Sequence, residues 1–171
     1  MNLLATIVQA SGDYARARTL FADSLAIRRT VFGDDSAQAA SAEFNLGMLL
    51  LLRLKQTREA QVHLARAVEI GAKTLAPNHG NLANYRLGLG SALRETGRLA
   101  EAEAMLQLAL PAFETIAAPR GIDIATTRGE LACIALARGR SGAREQIDAA
   151  LATIVRVSPD NQQAQRLRDC R

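Results

Sequence analysis

Apolar residues recur along this chain three and four positions apart, the spacing of one face of an α-helix. In GDYARARTLFADSL, starting at Gly12, the residues Ala17, Phe21, Ser24 and Leu25 share a face, and Arg16, Arg18 and Asp23 fall outside it. No stretch alternates Val, Ile, Thr and Tyr in the period-two manner of a strand. With Gly, Pro, Asp, Asn and Ser as stop and start signals, the pattern predicts helices near residues 2–11, 13–31, 36–54, 57–75, 80–96, 99–117, 122–138 and 142–157. A polar final helix follows in SPDNQQAQRLRDCR. Pro111 falls inside the helix at 99–117, where its missing N–H should kink that helix or end it early.

The pattern also repeats at a longer interval. GDYARARTLFADSL at Gly12 returns as KQTREAQVHLARAV at Lys55, GRLAEAEAMLQLAL at Gly97 and, more loosely, RGRSGAREQIDAAL at Arg138, at intervals of 43, 42 and 41 residues. Each unit carries an alanine (Ala17, Ala60, Ala102, Ala143), then a large apolar residue (Phe21, Leu64, Leu106, Ile147), then a small residue followed by an apolar one. Small residues on an apolar face mark where a neighbouring helix approaches closely. Upstream of each turn a second helix carries a Leu-small pair: Leu4-Ala5, Leu46-Gly47, Leu89-Gly90 and Leu131-Ala132. Lys55 or Gln56 stands where Gly12 and Gly97 form the turn in other units. The unit is helix, turn, helix, link, with boundaries near 1–34, 35–77, 78–119 and 120–157 and a C-terminal cap at 158–171.

On these Leu-small pairs, turn glycines and second-helix seams, the chain resembles the tetratricopeptide repeat family, in the long form of about 42 residues found in kinesin light chains and many bacterial proteins. The resemblance runs from about residue 1 to 157. It implies an all-α fold, a right-handed superhelical solenoid of antiparallel helix pairs forming a single domain over residues 1–171. It further implies a concave groove, lined by the first helix of each pair, that binds a peptide or partner protein. The groove candidates are Phe44, Asn45, Asn84, Ser91, Arg94, Glu95, Arg128 and Glu130, with Leu82, Tyr85, Leu89 and Leu93 taking the core face of their helix. Arg94 and Arg128 would bias the groove toward acidic segments. Asn45 matches only one of the paired asparagines of the kinesin-light-chain type, so that family's ligand does not transfer.

Composition supports the helical reading. The chain has 33 Ala and 19 Arg but only 2 Lys, and Ala and Arg are good helix formers. The Arg-rich, Lys-poor balance fits a GC-rich bacterial genome. The net charge of +4 raises the question of a nucleic acid, but the arginines are dispersed and sit beside acids, as in Arg58-Glu59, Arg94-Glu95 and Arg144-Glu145, which describes a solvated helix surface. Nucleic acid is therefore disfavoured as a partner. Leu46 to Leu54 is about half a membrane span and carries Arg53, and residues 1–12 lack the basic leader of a signal peptide. No membrane partner is expected, and a cytoplasmic location is. Cys133 and Cys170 have no CxxC or Cys/His companion, so both are expected as free, reduced thiols.

Catalytic chemistry finds little support. Gly88-x-Gly90 lacks the preceding strand and the third glycine or lysine of a phosphate loop, no GxSxG elbow occurs, and His63 and His79 stand 16 residues apart without clustered ligands. The chain is expected to be no enzyme and to need no cofactor or metal. The repeat alignment places Leu4-Ala5 mid-helix, so the first unit is truncated and its apolar face uncapped. Two readings follow: a fragment of a longer protein, such as a bacterial kinase or transcriptional regulator, which is favoured, or a homo-oligomer in which a second copy covers that face.

Overall fold

The computed structural model describes residues 2–115 and 121–170, and every regular element among them is an α-helix. The order is α1 (Asn2–Ala10), α2 (Tyr14–Phe32), α3 (Ala37–Leu52), α4 (Thr57–Thr74), α5 (Gly80–Glu95), α6 (Leu99–Thr115), α7 (Gly121–Ala137), α8 (Ala143–Val157) and α9 (Gln162–Asp169). Each predicted helix is present within about two residues of its expected ends. For the helix expected at 99–117, residues 116 and 117 lie outside the described residues. The fold class is the all-α helical repeat solenoid, and the chain divides into two compact units, residues 1–77 and 78–171.

Local chemistry sets the helix ends. Asp13 accepts a hydrogen bond from the Arg16 amide at 3.1 Å, Ser36 from Ala39 at 3.1 Å, and Asn161 from Gln163 at 2.8 Å, each satisfying an amide that the first helical turn leaves unpaired. His79 does the same for α5, its Nδ1 accepting from the Asn81 amide at 3.1 Å. The tight turns within the pairs use a left-handed residue at Gly12, Gly97 and Gly139, and Lys55 takes that conformation in the second pair at φ +56°.

In unit 1, α2 packs beside α1 and α3, and α3 lies along α4. Leu46, Leu49, Leu50, Leu64 and Ile70 fill its interior. In unit 2, α5 pairs with α6 and α7 with α8, while α9 lies against α7 and α8. Leu82, Tyr85, Leu89 and Leu93 are buried as expected. The Leu-small pair has a steric reason at two positions. A Cβ on Gly47 would lie 2.8 Å from Leu64 Cγ, and one on Gly90 would lie 2.8 Å from Leu106 Cγ, so the small residue admits the large residue of its partner helix.

Two expectations are revised. Of the kink or early end expected at Pro111, the early end does not occur: α6 runs through it to Thr115. Ala112 and Phe113 just beyond it are buried, and burying such an aromatic, worth about 1.5–3 kcal/mol, is comparable to the cost of an interior proline. Second, the thiols are not free. Cys133 of α7 and Cys170, next to the end of α9, form a disulfide with their Cα atoms 5.8 Å apart. Their 37-residue separation is bridged because α9 returns to lie against α7.

On α1, Leu3, Leu4 and Ile7 are exposed while Ala5 and Val8 are buried. No described helix is long and apolar enough to cross a membrane.

Candidate functional site

In unit 1 the first-helix surface is carried by α3. Phe44 and Asn45 are half-buried there, and the neighbouring Glu43 is only 1% exposed. An acid so deep needs partners, and Glu43 has two: the Arg29 guanidinium of α2 and His63 Nδ1 of α4, the latter at 2.6 Å. His63, weighed as a metal ligand from sequence, is thus a partner of a buried carboxylate.

In unit 2 the surface is carried by α5 and α7. Asn84 is half-buried on α5. Ser91, Arg94, Glu95 and Glu130, chosen separately from sequence, are brought together. Glu130 is fully buried. Its Oε1 accepts from Ser91 Oγ at 2.9 Å and its Oε2 from Arg94 Nε, and Arg166 of α9 stands 3.5 Å from Oε1. Arg166 also donates to Glu95 at 2.7 Å and to the Ser91 carbonyl at 3.1 Å. Burial alone would raise the Glu130 carboxyl. The Arg166 and Arg94 guanidiniums and the hydrogen bonds from Arg94 and Ser91 outweigh it, holding that carboxyl below the ordinary value,.

Arg128 is not part of this group. It pairs with Glu114 at 2.9 Å and is 62% exposed, beside a cavity of about 610 Å³ between α7 and α8 whose wall includes Ile124, Leu131 and Gln146. The network also departs from the charge pairs apparent in sequence. Arg94 pairs with Glu130 while Glu95 pairs with Arg166, and Glu59 pairs with Arg18 of another helix, because adjacent residues on a helix do not face each other.

Sequence reasoning missed Arg166, Glu43 and the disulfide. For Arg166 a signal existed: AQRLRD places an arginine between Ala164 and Leu167, the two buried apolar residues of α9. Glu43 carried none, since an isolated acid in a helix reads as solvated.

Chemically, the arrangement holds a guanidinium and offers amide side chains. No group of His, Cys, Asp and Glu among the described residues could hold a metal ion.

The model of the tetratricopeptide repeat family matches residues 1–73 and 49–115. No curated protein matches the chain. Among solved structures, nearly identical TPR-like repeats of kinesin-light-chain type from Podosopora anserina are similar at a TM-score of 0.73 and 20% identity, covering 99% of this chain and 90% of that one. A point variant of the same repeats gives 0.74 at 20% identity, over 98% and 89%. BtubC (BKLC) from P. vanneervenii gives 0.75 at 19% identity, over 94% of this chain and 64% of that one. At these identities the likeness is one of fold.

Proposed function

Because the chain belongs to the tetratricopeptide repeat family, we propose that it is a non-catalytic cytoplasmic scaffold that binds a peptide or partner protein in the groove lined by its first helices. One observation carries this reading. Asn45 of α3 and Asn84 of α5 are half-buried amides that neither pack in the core nor hold a side-chain hydrogen bond among the described residues, so each is available to a ligand backbone. Phe44 beside Asn45 adds an aromatic surface. Arg128, largely exposed, favours an acidic segment, whereas Arg94 is committed to Glu130.

The test is capture of binding proteins by the immobilised chain, comparing wild type with Asn45→Ala, Asn84→Ala and Arg128→Glu. These positions lie outside the core, so stability should move by only about 0.5 kcal/mol. Loss of one buried amide contact should weaken capture roughly tenfold. Unchanged capture by all three variants removes the groove residues from the reading.

A second reading is favoured by exposed Leu3, Leu4 and Ile7 on α1: a regulatory or self-assembling segment of a larger protein, its apolar face covered by a second copy. Light scattering on the same preparations separates the two, since a mass independent of concentration counts against self-assembly.

A further inference from the structure

The helix α9 buries three residues against unit 2, Ala164, Arg166 and Leu167. Ala164 and Leu167 join the apolar cluster of α7 and α8, with Leu167 filling the space over Gly129, where a Cβ would lie 2.5 Å from it. Gln163 accepts from Thr126 Oγ1 at 2.9 Å, and Gln162 Oε1 is buried without a partner among the described residues. Charge completes the fit. Arg166 pairs with both Glu95 and Glu130, so one guanidinium of α9 meets two acids of unit 2. This is helix-in-groove recognition: a short helix laid on a surface, one apolar anchor and one charged anchor at adjacent positions. Among the described residues, the only covalent fastening of α9 besides the chain itself is Cys133–Cys170.

The geometry points to the surface of unit 2 formed by α7 and α8, with the acids of α5 and α7 at its edge, as a receptor for an arginine-bearing amphipathic helix of a partner protein, with α9 as its occupant within the chain and the Cys133–Cys170 bond controlling exchange between them. The partner supplies a guanidinium to Glu95 and Glu130 and an adjacent aliphatic side chain to Gly129, in the pattern Ala-x-Arg-Leu. A dithiol reductant opens the disulfide by exchange. Two electrons and two protons pass to Cys133 and Cys170, the dithiol leaves as its own disulfide, and α9 is then held only by displaceable contacts. In a reducing compartment such a bond acts as a switch rather than a permanent staple. This inference rests on the reading that the first helices form a binding surface, and it names the partner class for one part of that surface.

The probe is a fluorescent peptide of residues 161–171 carrying Cys170→Ser, which cannot form a mixed disulfide, titrated into the full chain and followed by anisotropy. The reduced chain, and a full chain carrying Cys170→Ser, should bind it at least roughly tenfold more tightly than the oxidised chain, a difference of about 1.4 kcal/mol. A peptide also carrying Arg166→Ala, or a chain carrying Glu95→Gln, should lose that binding. Hydrogen exchange read in parallel should accelerate across Gln162–Asp169 on reduction while α5 to α8 stay protected. Equal binding to oxidised and reduced chain, or indifference to Arg166→Ala, overturns the proposal. So does loss of protection throughout α5 to α8, which would make α9 an integral part of the core. Failure here with capture still sensitive to Asn45 and Asn84 leaves the scaffold reading standing. Peptide binding with capture insensitive to them has the opposite meaning.

Discussion

Lys55 carries a conformation that the other tight turns give to glycine. Its φ of +56° places the Cβ near the following carbonyl, costing roughly 1–2 kcal/mol in the left-handed region. Glycine removes that cost but adds freedom to the unfolded chain, which takes back a part. Lys55→Gly should therefore raise stability by up to about 1 kcal/mol, read as a higher urea midpoint at unchanged slope. A lower midpoint would mean that the lysine side chain contributes more than its backbone costs. The substitution was visible in the sequence because the neighbouring units supply the expected residue. That the chain would keep the turn geometry without the glycine was not visible, since turn conformation is set by the helices on either side.

Between elements, the close approach of α5 and α6 at Gly90 sets what the pair tolerates. A methyl group there meets Leu106 Cγ at 2.8 Å and the Ala102 carbonyl at 3.3 Å, and Leu106 is fully buried. Overpacking costs about 1–3 kcal/mol, while alanine returns roughly 1 kcal/mol of helix propensity. Gly90→Ala should lower the thermal midpoint, and adding Leu106→Val should recover part of the loss by making room. An unchanged midpoint in the single variant would show that the pair separates at little cost. This seam was legible from sequence because small and large residues alternate at a fixed interval and packing depends on size. The buried charges were not legible, because Glu43 and Glu130 owe their burial to residues on other helices, which no local pattern around either acid announces. Local composition placed Arg94 with Glu95, whereas helix geometry sends them to different partners.

For the molecule as a whole, an excess of +4 coexists with a fully buried carboxylate, so acid should act through specific groups as well as through net charge. Glu130 titrates below its ordinary value of 4.5. A carboxyl depressed in the folded state contributes stability that is full above the unfolded value and is lost as pH falls through the folded one. Glu130→Gln leaves Arg94 and Arg166 without their shared acid and should cost about 3–5 kcal/mol at pH 7. Urea unfolding of wild type and variant from pH 7 to pH 3 should show the gap between them narrowing toward acid. A constant gap would show that the glutamine loses shape complementarity rather than charge.

These two buried acids also differ in when their partners are made. Glu43 finds Arg29 and His63 within 14 and 20 residues, so unit 1 can neutralise its interior soon after α4 leaves the ribosome. Glu130 has Arg94 already behind it, but the pocket it shares with Glu95 waits for Arg166, 71 residues after Glu95, and the disulfide waits for Cys170. Because chains are made from the N-terminus and fold unit by unit, the buried acid of unit 1 has its partners while the acids of unit 2 still lack Arg166. For that interval during synthesis, Glu95 and Glu130 stand without the guanidinium that Arg166 later brings to them, open to whatever cationic helix reaches them first.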